Sequence, residues 1–179
     1  KQYVLGKGDC QALQYFLQGS PESVSRPFQT INYTESHDDR TWLDGITQHA
    51  GHNGNFPSPI DRRRTHLMVS LLMMILGMPM LSQGQDFLRS KMGVTNTYQR
   101  GDLNALDYQR QAEFSSTHTY FRNWIEFRKS EAARGLRLEA FPPDGFFEFY
   151  PATSGHGMGV LYNAQNTEDA PQLFFAVNP

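Results

Sequence analysis

The sequence predicts an α/β chain, a parallel βαβ unit that gives way to short antiparallel strands. Three observations carry this. A β-favouring run, Thr30, Ile31, Tyr33 and Thr34, ends abruptly in Glu35, His37, Asp38 and Asp39. A helix start at Ser58-Pro59-Ile60-Asp61 opens a segment that turns apolar on nearly all sides, and a second strand-like run follows it. Beyond Pro142-Pro143-Asp144-Gly145 the pattern changes to short strands separated by turn residues. Charges in a strand body would be buried unpaired, so a strand that ends in titratable groups directs them to an open end of the sheet. In a parallel α/β barrel that end faces the substrate cleft.

In chain order, Leu13, Tyr15, Phe16 and Leu17 fit a short helix stopping near Gly19-Ser20-Pro21. The first strand is expected over Thr30–Ser36. Trp42, Leu43 and Ile46 then share one helical face. Trp42 suits either an exposed stacking platform or the core, and packing is the commoner use of such a residue. The helix from Pro59 is expected to run to Met78, with Arg62 to Arg64 on its rim and Gly77 and Pro79 as its stop. Its deep burial makes Met68, Met73, Met74 and Met78 core filler. A second strand is expected from Met80, ending in Gly84, Gln85 and Asp86, and a long polar loop runs from Leu88 through Tyr108. Another helix opens at Ser115, with Tyr120, Phe121, Trp124, Ile125 and Phe127 as its apolar face and Gly135 as its stop. Strands are expected over Phe146–Tyr150, Gly159–Tyr162 and Leu173–Val177.

Composition narrows the function classes. The 179 residues leave room for one domain with a real core. A net charge of -2 and a pI of about 6.3 provide no basic field, so nucleic acid is not expected as a partner. The apolar run Leu67–Met78 is short of the ~20 residues a membrane span needs, and no membrane partner is expected. Cys10 is the single cysteine, so no internal disulfide is available and the compartment, cytoplasmic or secreted, stays open. The opening Lys1-Gln-Tyr-Val-Leu-Gly-Lys7 carries no signal-peptide pattern and reads as mid-protein.

Ile31-Asn32-Tyr33 followed by Glu35-Ser36-His37-Asp38 resembles the fourth signature segment of the α-amylase family, glycoside hydrolase family 13, in its pullulanase- and isoamylase-type debranching members. Gly77-Met-Pro-Met-Leu-Ser-Gln-Gly-Gln-Asp86 is similar to the family's eighth barrel strand, whose last acidic residue is more often Glu. Leu88-Arg-Ser-Lys91 with Tyr98 and Gly101-Asp102-x-Asn104 resembles the pullulanase loop that lines the non-reducing-side subsites. The resemblance implies the C-terminal portion of a (β/α)₈ TIM barrel over residues 1–141, then the beginning of an antiparallel β-sandwich domain over 142–179. It implies that Asp38 stabilises the oxocarbenium-like transition state and that His37 holds sugar hydroxyls beside it. Arg89, Asn96, Tyr98, Asp102 and Asn104 are the implied substrate-binding residues, and Asp86 buttresses the floor. No cofactor or metal is implied. The implied partners are an α-glucan oligo- or polysaccharide and the remainder of the same barrel. Ala105 stands where some of these enzymes carry arginine, which leaves the bond open between α-1,6 and α-1,4.

A retaining glycosidase needs a nucleophilic carboxylate and an acid/base carboxyl group about 5 Å apart. No Arg-x-Asp strand of the family's type occurs here, and Glu22, Glu35 and Glu113 are not in matching contexts. One rival reading is a non-catalytic carbohydrate-binding or interaction module, which accounts for the aromatics but not for a βαβ unit with His37-Asp38 at a strand end. Another is a metal-dependent hydrolase using His37, Asp38, His49 and His52, which metal analysis would reveal. The glycosidase reading expects the isolated chain to be inactive, because the nucleophile and the acid are both missing. Turnover of a branched α-glucan by the purified 179-residue chain would contradict it.

Overall fold

The computed structural model describes residues 1–47 and 54–179. His49 and His52 lie outside the described residues. Helix α1 (Cys10–Leu17) is capped by Asp9, whose carboxylate accepts the Ala12 N–H at 2.8 Å. Strand β1 (Ile31–Asn32) leads to α2 (Trp42–Ile46), then to α3 (Pro59–Met74) and β2 (Met78–Pro79). Helices α4 (Gly101–Asn104), α5 (Gln109–Glu113) and α6 (Ser115–Lys129) follow. Strands β3 (Phe147–Pro151), β4 (Met158–Tyr162) and β5 (Leu173–Val177) close the chain.

The α3 start is the reciprocal box its residues predict. Ser58 Oγ accepts the Asp61 N–H at 3.2 Å, while Asp61 Oδ2 accepts the Ser58 N–H at 2.9 Å. The helix stops earlier than Met78, because Ile75 is already extended at φ -72° and ψ 139°. The next residues are recruited by distant chain: the Leu76 N–H donates to Leu17 O at 3.1 Å. Gly77 then turns at φ 102°, and a Cβ there would stand 2.4 Å from Thr30 Oγ1. Only glycine allows β2 to dock this closely.

Strands β1 and β2 pair in parallel, Ile31 opposite Met78 and Asn32 opposite Pro79. The Met78 N–H donates to Thr30 O at 3.1 Å and the Met80 N–H to Asn32 O at 2.8 Å. Both strands are shorter than expected, and the second lies earlier: Met78–Pro79, not Met80 onward. Gly84 at φ 87° opens a 3₁₀ turn over Gln85–Phe87, which Leu88 closes at φ 61°. That turn replaces the end of the expected strand. Leu71 and Leu72 of α3, and Ile75 just beyond it, face β1 across a cavity of ≈ 720 Å³, lined also by Phe16, Ile31 and Tyr33. Ile31 is 57% exposed, and Tyr33 and Met78 are exposed as well. This apolar sheet fragment is therefore wet on one side, as a strand pair parted from its neighbours would be.

The three C-terminal strands form an antiparallel sheet in the order β3-β4-β5. Val160 and Tyr162 on its inner side, with Phe146 just before β3, are fully buried, and Tyr162 Oη donates to Met74 O at 2.8 Å. This bond joins the sheet to the end of α3. At the same point the buried Arg128 of α6 donates to Met73 O, to Ile75 O at 2.9 Å, to Gly77 O at 2.6 Å and to Leu136 O at 3.2 Å. Burial lowers its pKa to about 10, which still leaves it charged at neutral pH. Carbonyls at a helix C-terminus carry the negative end of the dipole and suit that cation.

Replacing Arg128 by Met is expected to cost about 3 kcal/mol or more, since several buried carbonyls lose their donor at once. The measurement is a lowered urea midpoint with an unchanged slope. A loss below about 1 kcal/mol would mean that water substitutes for the guanidinium.

Candidate active site

At the end of β1 the chain divides its polar groups between interior and surface. Thr34 Oγ1 accepts from Gln85 Nε2 at 2.7 Å, linking the two strand exits. Glu35 turns inward and is buried, whereas the side chains of His37 and Asp38 are 90% and 68% exposed. His37 Nε2 and Asp38 Oδ2 stand 3.2 Å apart. The loop then passes Asp39 in the left-handed region at φ 55° and re-enters the core at Trp42. Trp42 belongs to the core, with its indole Nε1–H donating to Thr65 Oγ1 at 3.1 Å.

The loop after β2 lies alongside. Lys91 Nζ donates to Asp39 O at 2.5 Å, and Arg40 Nε donates to Gly93 O at 2.9 Å. The buried Asp44 of α2 fixes the same stretch: its carboxylate accepts the Lys91 N–H at 2.6 Å and the Ser90 hydroxyl at 2.6 Å. Burial, and the Arg89 charge beside it, lower the pKa of Lys91, with Glu35, Asp44 and Asp39 opposing. A cleft of ≈ 460 Å³ opens here, lined by Tyr33, Thr34, Asp39, Arg40, Thr41 and Thr95 among others.

The predicted binding residues fall into two groups. Arg89 and Asn104 meet, with Arg89 Nη2 donating to Asn104 O at 3.1 Å. Asn104 Nδ2 also donates to Thr97 O at 2.5 Å, and its Oδ1 accepts from Thr97 Oγ1 at 2.7 Å. These two side chains shape the loop from within. Asn96, at φ 49°, and Tyr98, 83% exposed, lie on its surface. Asp102 is exposed and pairs with Arg100 at 2.7 Å. The ties between this loop and the His37-Asp38 loop run through Asp39 and Arg40. Asp86 receives His118 Nδ1 at 2.5 Å, joining the β2 exit to the first turn of α6. Among the described residues no group of three or more His, Cys, Asp or Glu could hold a metal ion. No described helix is long and apolar enough to cross a membrane.

Sequence reading misses Asp44 and Lys91 as organisers of this region. Neither lies in a pattern that marks a buried charge, and their partners are distant in sequence. It also leaves the burial of Glu35 unseen. Its carboxyl group accepts the Trp42 N–H and the Ser82 hydroxyl. Burial raises its pKa from 4.5 to about 7. The two hydrogen bonds and Arg89 oppose that rise, and Asp44 adds to it.

The folded protein thus holds this proton to higher pH than the unfolded chain. The stability linked to Glu35 is fully present below about pH 4.5 and is lost as pH rises through about 7, on the order of 3 kcal/mol. Glu35→Gln is expected to flatten the slope of unfolding free energy over this window. An unchanged slope in urea titrations would show that Glu35 is not its source.

A comparison with protein-family models finds no match. A pullulanase of Bacillus subtilis (strain 168) is 34% identical over 151 residues, covering 77% of this chain and 20% of that protein. An isoamylase of Flavobacterium sp. is 27% identical over 130 residues, covering 60% of this chain and 17% of that protein. The chain therefore spans about a fifth of the length of these curated relatives. The structure of a pullulanase from Anoxybacillus sp. LM18-11 complexed with maltotetraose superimposes with a TM-score of 0.81 at 25% identity. The match covers 98% of this chain and 26% of that one. The chain is a relative of the debranching-type members of glycoside hydrolase family 13.

Proposed function

We propose that the chain is part of a retaining α-glucan hydrolase that cleaves α-1,6 branch points in starch- or glycogen-type polymers. Residues 1–141 are the last strands and helices of its (β/α)₈ barrel, and 142–179 begin its C-terminal β domain. The observation that carries the reading is the parallel pair β1–β2, with the His37-Asp38 loop and the loop after β2 leaving the same end and hydrogen-bonded to each other. In barrel enzymes that end builds the site. The likeness to pullulanases, one of them complexed with maltotetraose, supports a malto-oligosaccharide as ligand.

In this reading the Asp38 carboxylate faces the sugar ring as positive character develops at the anomeric carbon, and His37 donates to a hydroxyl beside it. Tyr98, Asn96 and Asp102 meet the chain of glucose units, while Arg89 and Asn104 hold their loop in shape. The nucleophile and the acid/base come from strands of the same barrel outside these residues. The wet face of Ile31 and Tyr33 supports the presence of such neighbours.

The test is Asp38→Asn in the whole polypeptide. A group that acts on developing charge contributes mainly in the transition state, so kcat is expected to fall by roughly 10²–10³ with KM changed far less. A raised KM with normal kcat would make Asp38 a binding residue only.

A further inference from the structure

We propose that Glu35 is a positioning residue that closes the His37-Asp38 loop, holding its two ends together and against the exit of β2. The proposal rests on the reading of Asp38 and His37 given above. Residues 36–41 form a loop between the buried Glu35 and the buried Trp42 at the start of α2. The Glu35 carboxyl group accepts the Trp42 N–H, so one side chain joins the start of the loop to its end. The same group meets the Ser82 hydroxyl, which anchors the closed loop to the neighbouring strand's exit. Further along the loop, Lys91 donates to Asp39 O and Arg40 donates to Gly93 O, tying it to the loop after β2. The exposed His37-Asp38 tip is thus supported on both flanks, while Glu35 itself is 6% exposed and out of reach of a ligand on the surface.

The charged groups facing Glu35 are Arg89 from the loop after β2 and Asp44 from α2, with Lys91 also within its field. Arg89 favours the carboxylate, whereas burial and Asp44 favour the acid. The closure tolerates both forms. A hydroxyl such as Ser82 is donor to a carboxylate and acceptor from a carboxylic acid, whereas the Trp42 N–H can only donate. One oxygen can therefore stay with Trp42 while the proton sits on the oxygen that faces Ser82. Glutamine reproduces the protonated arrangement, its oxygen toward Trp42 and its amide toward Ser82. Alanine reproduces neither.

Amide hydrogen exchange in the whole polypeptide tests this for the wild type, Glu35→Gln and Glu35→Ala, at about pH 6 and about pH 8. In Glu35→Ala, exchange at Trp42 and across residues 36–41 is expected to rise by about tenfold or more, with α3 and β3–β5 unchanged. Glu35→Gln is expected to restore wild-type protection at the lower pH. Unchanged rates in Glu35→Ala, acceleration spread evenly through the chain, or failure of glutamine to restore protection would each overturn the proposal. These readouts need no sugar, so they stand apart from the fate of Asp38 as a transition-state group. In the whole polypeptide, Glu35→Ala is expected to lower kcat with little change in KM, and glutamine to rescue it. Loss of loop protection without loss of turnover would overturn the positioning role.

Discussion

Four carbonyls converge on one buried guanidinium, and the arrangement of the chain depends on that convergence. Met73, Ile75 and Gly77 belong to the run where α3 ends and β2 begins, and Leu136 follows α6. Without a donor at this point, the last carbonyls of α3 would be buried and unpaired, a cost of about 1–3 kcal/mol each. Arg128 meets the need because its planar fork carries five N–H donors spread over two ends, against three on the single ammonium of a lysine. Tyr162 adds a bond to Met74 O from the β sheet. The end of α3 is thus where the helical layer, the parallel strands and the antiparallel sheet are joined.

This junction determines where the site loops start. With α3 stopped at Met74 and Gly77 turned tightly against Thr30, β2 lies beside β1 in a parallel register. Both strands then deliver their following segments to one side. The buried acids complete the arrangement from below: Glu35 spans the base of one loop, and Asp44 receives the backbone of the other. The groups proposed to meet a glucan, Asp38, His37 and Tyr98, remain at the surface while their supports are internal. Buried carboxyl groups are costly unless hydrogen-bond partners surround them, which explains why backbone N–H groups and hydroxyls crowd this region.

Much of the fold was legible because it is local. The Ser58–Asp61 box, the all-round apolarity of α3 and the alternation within β3–β5 are all written in adjacent residues, and the strands lie within about a residue of the expected ranges. The end of α3 was not legible, because Leu17, Arg128 and Tyr162 decide it from far along the chain. The second strand lies earlier than its local pattern indicates, for a similar reason. Its register follows from the turn at Gly77 and the contact with Thr30, whereas the apolar run Met80-Leu81 only resembled a strand. At the site, His37-Asp38 stood out as a charged strand end. Asp44 and the burial of Glu35 did not, since a carboxylate that will be buried has the same letters as one that will be solvated.

The most direct measurement is a structure of the whole polypeptide with maltotetraose bound. In a completed barrel, a neighbouring strand covers Ile31 and Tyr33, and a glucose ring lies within hydrogen-bond distance of both Asp38 and His37. Ile31 still open to solvent in the whole polypeptide, or sugar bound away from the His37-Asp38 loop, would contradict the reading.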